Sequence, residues 1–284
     1  MFPIHLNLGF RIFYYYEGFY FLIAIGTAYL MGWKRLKGLG LDVQVFEDSF
    51  IWIIAGAILG ARVFQFLFWD LDAFLVDPMT FFRIWEGGLS ITGGLAGGVL
   101  GALICFRRRK ADFWAYSAAL SPAVLLGQAV GRVGCFLNGD AYGIPTGLPW
   151  GIREPKFGTF VPGFIPDHSM PSAAWAWCVA KGYLAPTAMA TVPLHPTQLY
   201  ESLGDLVLAG LVVLLARSLR ARKAPLAKVT WLYLGGYSLF RFGLEFLHGD
   251  RDITIWAGMT GLQLGLLAFG LVGAALYVRA GKAC

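Results

Sequence analysis

The chain has 284 residues, of which 57% are hydrophobic and 14% charged, with a mean hydropathy of +0.63. That is too apolar for the single core of a soluble protein, so an all-α integral membrane protein is expected. The net charge of +6 does not point to nucleic acid, because the basic residues border apolar runs and no aromatic-interleaved basic face accompanies them.

Apolar runs of about 20 residues, the length that crosses a ~30 Å hydrocarbon core, occur seven times, at 13–33, 49–69, 89–106, 114–131, 198–216, 229–247 and 257–278. The first lacks the basic start and small-residue cleavage site of a signal peptide. Its entry, Phe13 to Tyr16, reads as an interfacial aromatic belt. The second run carries Gly56 and Gly60, and the third carries Gly93, Gly97 and Gly101. Small residues at four-residue intervals predict close helix–helix approach. The connectors 34–48, 107–113 and 217–228 and the tail 279–284 hold 14 of the 23 Lys and Arg residues. By the positive-inside rule the N-terminus lies outside and the C-terminus in the cytoplasm.

One membrane-embedded domain, 1–284, is expected, with a Pro-rich extracytoplasmic head or lid at 139–197 between spans four and five, where nine of the thirteen prolines fall. Its Trp150, Phe157, Phe160, Phe164, Trp175 and Trp177 suit either contact with lipid headgroups or a small core of the loop's own. Four cysteines, Cys105, Cys135, Cys178 and Cys284, show no paired spacing and imply neither metal site nor disulfide framework, although a Cys135–Cys178 bridge stays open.

Polar residues that such a composition disfavours gather toward the outer half of the bundle. Arg132, Asn138 and Asp140 follow span four; His195, Gln198 and Glu201 begin span five; Arg62 lies in span two; Arg241, Glu245 and His248 occupy span six. Intramembrane ionisable groups default to function. Tyr237, Arg241, Glu245 and His248 share one helical face. Arg241 with Glu245 reads either as a structural ion pair one turn apart or as part of a ligand site, while Arg132 has no local partner, which favours a ligand. Arginines converging at the depth of lipid phosphates suit a phosphodiester headgroup, because guanidinium offers planar paired donors and stays charged when desolvated. An anionic glycerophospholipid is the expected ligand.

Four segments, FRIWEGGLSITGG (81–94), GRVGCFLNGDAYG (131–143), HPTQLYES (195–202) and YSLFRFGLEF (237–246), occur in an order and spacing that resemble the prolipoprotein diacylglyceryl transferase family. The resemblance implies a multi-pass enzyme of the bacterial inner membrane, its active site toward the outer face. Such an enzyme moves the diacylglyceryl group of phosphatidylglycerol to the lipobox cysteine thiol in a prolipoprotein signal peptide and releases glycerol phosphate, with no cofactor. By position Arg132 and Arg241 match the family's arginines, Tyr237 its tyrosine, Asn138 and Gly143 its signature loop, and His195 and Gln198 its HP-x-Q segment. Asp140 completes the catalytic set; Arg62, Glu245, Thr92 and Cys135 join the binding set.

The sequence departs from the family at three positions: Thr92 replaces a histidine, Cys135 an asparagine and Asp140 a glutamate. Threonine is no base near neutral pH, which leaves His195 or His248 to supply one. Cys135 reads either as a thiol activated by Arg132 or as a small apolar filler. Two alternatives to the family reaction stay open, a divergent paralogue with another acceptor and a non-catalytic protein that binds anionic phospholipid. A transporter is disfavoured because the chain shows no inverted repeat.

Overall fold

A computed structural model describes residues 4–7, 11–14, 16–83, 90–139, 141–157, 171–249 and 254–280. Nine α-helices are described: α1 (Tyr16–Gly38), α2 (Val43–Phe68), α3 (Leu71–Val76), α4 (Ile91–Arg108), α5 (Phe113–Asn138), α6 (Ala173–Ala180), α7 (Thr197–Ala221), α8 (Ala227–Glu245) and α9 (Gly261–Arg279). Two small antiparallel hairpins accompany them, β1 (Ile4–Asn7) with β2 (Arg11–Tyr14) and β3 (Thr254–Trp256) with β4 (Met259–Thr260). All helices but α3 and α6 coincide with the seven apolar runs, and α2, α5, α7 and α9 are each long and apolar enough to cross a membrane. The chain is a mostly helical, multi-pass membrane protein.

Element ends follow local chemistry. Asp42 caps α2 by accepting from the Gln44 N–H at 2.9 Å, and Thr260 with Gln263 forms a capping box on α9. The helix of span one starts at Tyr16, so Phe13 and Tyr14 belong to β2. Span four runs further than the apolar count suggested, because no breaker occurs until Gly139, whose φ of 76° suits the left-handed close of a helix. Arg132 and Cys135 therefore stand on the last turns of α5 instead of beyond its end.

The described residues fall into two compact units, Trp33–Tyr116 and Met1–Gly32 with Ser117–Cys284. In the first, α2 and α4 pack through glycine. A Cβ on Gly56, Gly60, Gly93, Gly97 or Gly101 would collide with the facing helix, Gly56 with the Gly97 carbonyl and Gly101 with the Trp52 carbonyl. Apolar side chains gain little by associating inside lipid, so this pair depends on backbone closeness that only glycine permits. In the second unit, Ala118 and Leu125 of α5 pack with Leu208, Ala209, Val212, Ala216 and Leu219 of α7 and Val229 of α8. Gly235 and Gly273 bring α8 against α9.

The long loop has a core of its own. Tyr142, Ala174, Cys178 and Leu194 are buried together, with Trp177, Leu184 and Val192 against them. Trp175 is also buried and donates to the Ala188 carbonyl at 2.9 Å, whereas Trp150 is 55% exposed. Trp177 thus packs in a core of the loop's own; Phe160 and Phe164 lie outside the described residues.

Cys135 and Cys178 are not joined by a disulfide. Burial, followed by the nearby Glu154 carboxylate, pushes the Cys178 thiol up to about 11.

Candidate active site

The site is built where α5, α7 and α8 meet in the second unit. Glu201, on the second turn of α7, is at its centre with its side chain 3% exposed. The Arg132 guanidinium reaches Glu201 Oε2 through Nε at 2.5 Å. Arg241 Nη1 of α8 lies 3.3 Å from Glu201 Oε1 and 2.6 Å from Glu245 Oε2. The His248 imidazole, just after α8, meets Glu201 Oε1 through Nε2 at 2.8 Å. Arg132 also donates to the Tyr237 hydroxyl. One carboxylate of α7 thus gathers two guanidiniums and an imidazole from two other chain segments.

Arg241–Glu245 forms the ion pair that was one of the two readings of their four-residue spacing, and it is embedded in a larger network. Arg132, without a partner nearby in the chain, has one far along it. It is Glu201, sixty-nine positions along the chain, so local spacing could not disclose it. Asp205 lies one turn beyond Glu201 on α7, 1% exposed, its Oδ1 buried without a hydrogen-bond partner among the described residues. The sequence reading passed over it, although the four-residue interval from Glu201 was the available signal.

The loop after Gly139 is stitched to both neighbouring helix ends. Thr197 Oγ1 donates to the Ala141 carbonyl at 2.8 Å. Ile144 N–H donates to Leu247 O at 2.9 Å, His195 N–H to Ile144 O at 3.0 Å and Gly249 N–H to Tyr142 O at 2.9 Å. Gly143 bridges to His248, and a Cβ there would strike the carbonyl and Cβ of His195. The requirement for glycine at 143 is therefore steric. Gln198 is buried at the start of α7, and Cys135 lies one turn past Arg132 on α5.

Arg62 and Thr92 belong to the other unit. Arg62, in the α2–α4 unit, is 4% exposed and gives its N–H groups to backbone, Nε to Phe81 O at 2.8 Å and Nη2 to Thr80 O, with its guanidinium 4.9 Å from the Phe66 ring centroid. Thr92 stands in the first turn of α4. The side chains of Thr92 and Asn138, and all of Asp140, lie outside the described residues.

Buried ion pairs gain or lose according to whether every member is compensated. Here the helices hold guanidinium donors in place before any ligand arrives, the arrangement that electrostatic stabilisation of a developing anion requires. The family model described as prolipoprotein diacylglyceryl transferase matches residues 3–279. The chain belongs to that family. It is 34% identical over 281 residues to the phosphatidylglycerol–prolipoprotein diacylglyceryl transferase of Glaesserella parasuis, covering 95% of this chain and 90% of that protein. The protein of the same name from a Nostoc species is 34% identical, with 90% and 84% covered. The one from Geobacter sulfurreducens is 31% identical, with 90% and 86% covered. As a family member this chain is a membrane transferase of lipoprotein biosynthesis.

Proposed function

We propose that the protein spans the bacterial inner membrane seven times, N-terminus outside, and transfers diacylglyceryl from phosphatidylglycerol to the lipobox cysteine of prolipoproteins at its outer face. The observation that carries this reading is the convergence of Arg132 and Arg241 on Glu201. Glu201 and Glu245 hold the two guanidiniums close together, and Arg132 meets Glu201 through Nε, which leaves its Nη pair to Tyr237 and to a phosphate oxygen.

In the reaction the acceptor sulfur forms a bond to the glycerol C3 carbon while the bond from C3 to the phosphate oxygen breaks. The electron pair leaves with glycerol phosphate, whose growing charge the arginines stabilise. The Asp140 carboxylate takes the thiol proton in place of the family's histidine. Chemistry through a short carboxylate suits a slower transfer than a histidine base would support.

The decisive assay gives purified protein in nanodiscs labelled phosphatidylglycerol with and without a lipobox peptide. Wild type labels the peptide, Arg132→Ala loses on the order of 10²-fold or more in rate, and Thr92→His is faster than wild type. Release of glycerol phosphate without peptide labelling would favour the paralogue with another acceptor. Lipid binding with no turnover in any variant would overturn the enzymatic reading.

A further inference from the structure

His195 is held from two sides, through its ring and through its backbone. The indole Nε1–H of Trp150, in the long loop, lies 2.7 Å from the Tyr200 hydroxyl, and that hydroxyl lies 3.2 Å from His195 Nδ1. An indole N–H can only donate. The Tyr200 oxygen therefore accepts from Trp150; toward His195 it either donates its O–H to Nδ1 or accepts from a protonated Nδ1, and Nδ1 lies 3.2 Å from it as an acceptor for that O–H. A nitrogen that accepts carries no proton, so in the first arrangement the neutral ring has its proton on Nε2. The backbone of His195 is fixed at the same time, its N–H on Ile144 O at 3.0 Å and its carbonyl and Cβ close against Gly143.

We propose that Trp150 and Tyr200 are positioning residues that hold His195 as the Nε2–H tautomer, so that it serves as a hydrogen-bond donor to an anionic phosphate group and not as the base for the acceptor thiol. This rests on the function proposed above for the identity of the phosphate, but the tautomer itself rests only on the chain of contacts from Trp150 through Tyr200 to His195. It also bears on the missing family histidine. With Nδ1 occupied by Tyr200 and Nε2 protonated, His195 does not take over the role lost at Thr92. The second candidate, His248, is 1% exposed and has Nε2 committed to Glu201. Trp150 is half exposed on the loop, so the relay also ties the loop's placement to the orientation of a ring at the entrance to α7.

The test needs no substrate at its first stage. The chain has four histidines, His5, His168, His195 and His248. Nitrogen-15 spectra of histidine-labelled protein in nanodiscs, with His195→Gln used to assign the signal, should show a pyridine-type Nδ1 and a pyrrole-type Nε2 at His195. Tyr200→Phe, which removes one oxygen and little volume, should release the ring into a tautomer mixture, and Trp150→Phe should do so in part. A wild-type His195 protonated on Nδ1, or a spectrum unchanged by Tyr200→Phe, overturns the proposal whatever the activity.

In the phosphatidylglycerol assay, loss of an orienting partner should lower kcat on the order of 10- to 100-fold in Tyr200→Phe, with KM for the lipid within about twofold. His195→Gln, whose amide N–H falls near the Nε2 position, should keep more activity than His195→Asn, whose amide falls near Nδ1; the reverse order overturns the donor role. A wild type with no turnover at all would overturn the proposed function while leaving the tautomer result intact.

Discussion

The α2–α4 seam and the α5–α7–α8 cluster solve the same problem in opposite ways. Both bring helices together where lipid supplies almost no hydrophobic drive. At the seam, side chains are removed until carbonyls of one helix lie against glycines of the next, so the energy is dispersion spread over many small contacts. In the cluster, Glu201 draws Arg132, Arg241 and His248 together through a few strong interactions, each of which is costly to leave half made. The seam tolerates no added volume, and the cluster tolerates no uncompensated charge.

The largest expected effect is at the seam. Gly97→Leu drives a side chain into the Gly56 carbonyl and the Gly60 backbone, and folded, monodisperse protein should be lost on size-exclusion chromatography. Gly94→Ala, whose Cβ would meet Ala57 and Ala61 at ordinary distances of 3.5 and 3.6 Å, should purify as wild type. Equal losses from the two would show that glycine content, and not backbone approach, is what matters there.

In the cluster, Glu201→Ala strands two guanidiniums and should cost about 3–5 kcal/mol, read from denaturant unfolding in micelles. An unchanged midpoint would mean that the network contributes to catalysis alone. A smaller loss, about 1–3 kcal/mol from overpacking, is expected for Gly143→Ala against His195, together with a fall in turnover that repacking elsewhere does not restore.

The smallest effect comes from the Cys178 thiol, raised from 9.0 to about 11. An unfolded thiol ionises first, so its contribution to stability is complete below pH 9 and is lost as pH rises from 9 toward 11. Cys178→Ala should flatten that part of the stability curve, and the native thiol should resist iodoacetamide near neutral pH.

How far the sequence could be followed differs between the two regions for the same reason. The seam was legible because glycine spacing repeats within each helix, so Gly56 with Gly60 and Gly93 with Gly97 announce their faces without knowledge of the partner. In the cluster only Arg241–Glu245 could be read, being one turn apart on α8. Arg132 shows no partner in its own stretch of chain because that partner, Glu201, is on another helix, and Asp205 was not singled out because an acidic residue inside an apolar run carries no label of depth. The α5 boundary fell short for a simpler reason: apolar counting stops at a charge, whereas the helix stops at Gly139.

Hydrophobic periodicity, basic connectors and four ordered motifs determined by themselves that this is a multi-pass helical membrane protein and which family it resembles, because those signals are local in the chain. Tertiary structure alone decided that Glu201 is the hub of the arginines, that Gly143 is required by the backbone of His195, and that His195 Nδ1 lies beside the Tyr200 hydroxyl. Each of these depends on distances between segments far apart in sequence, and no spacing rule within one helix encodes them.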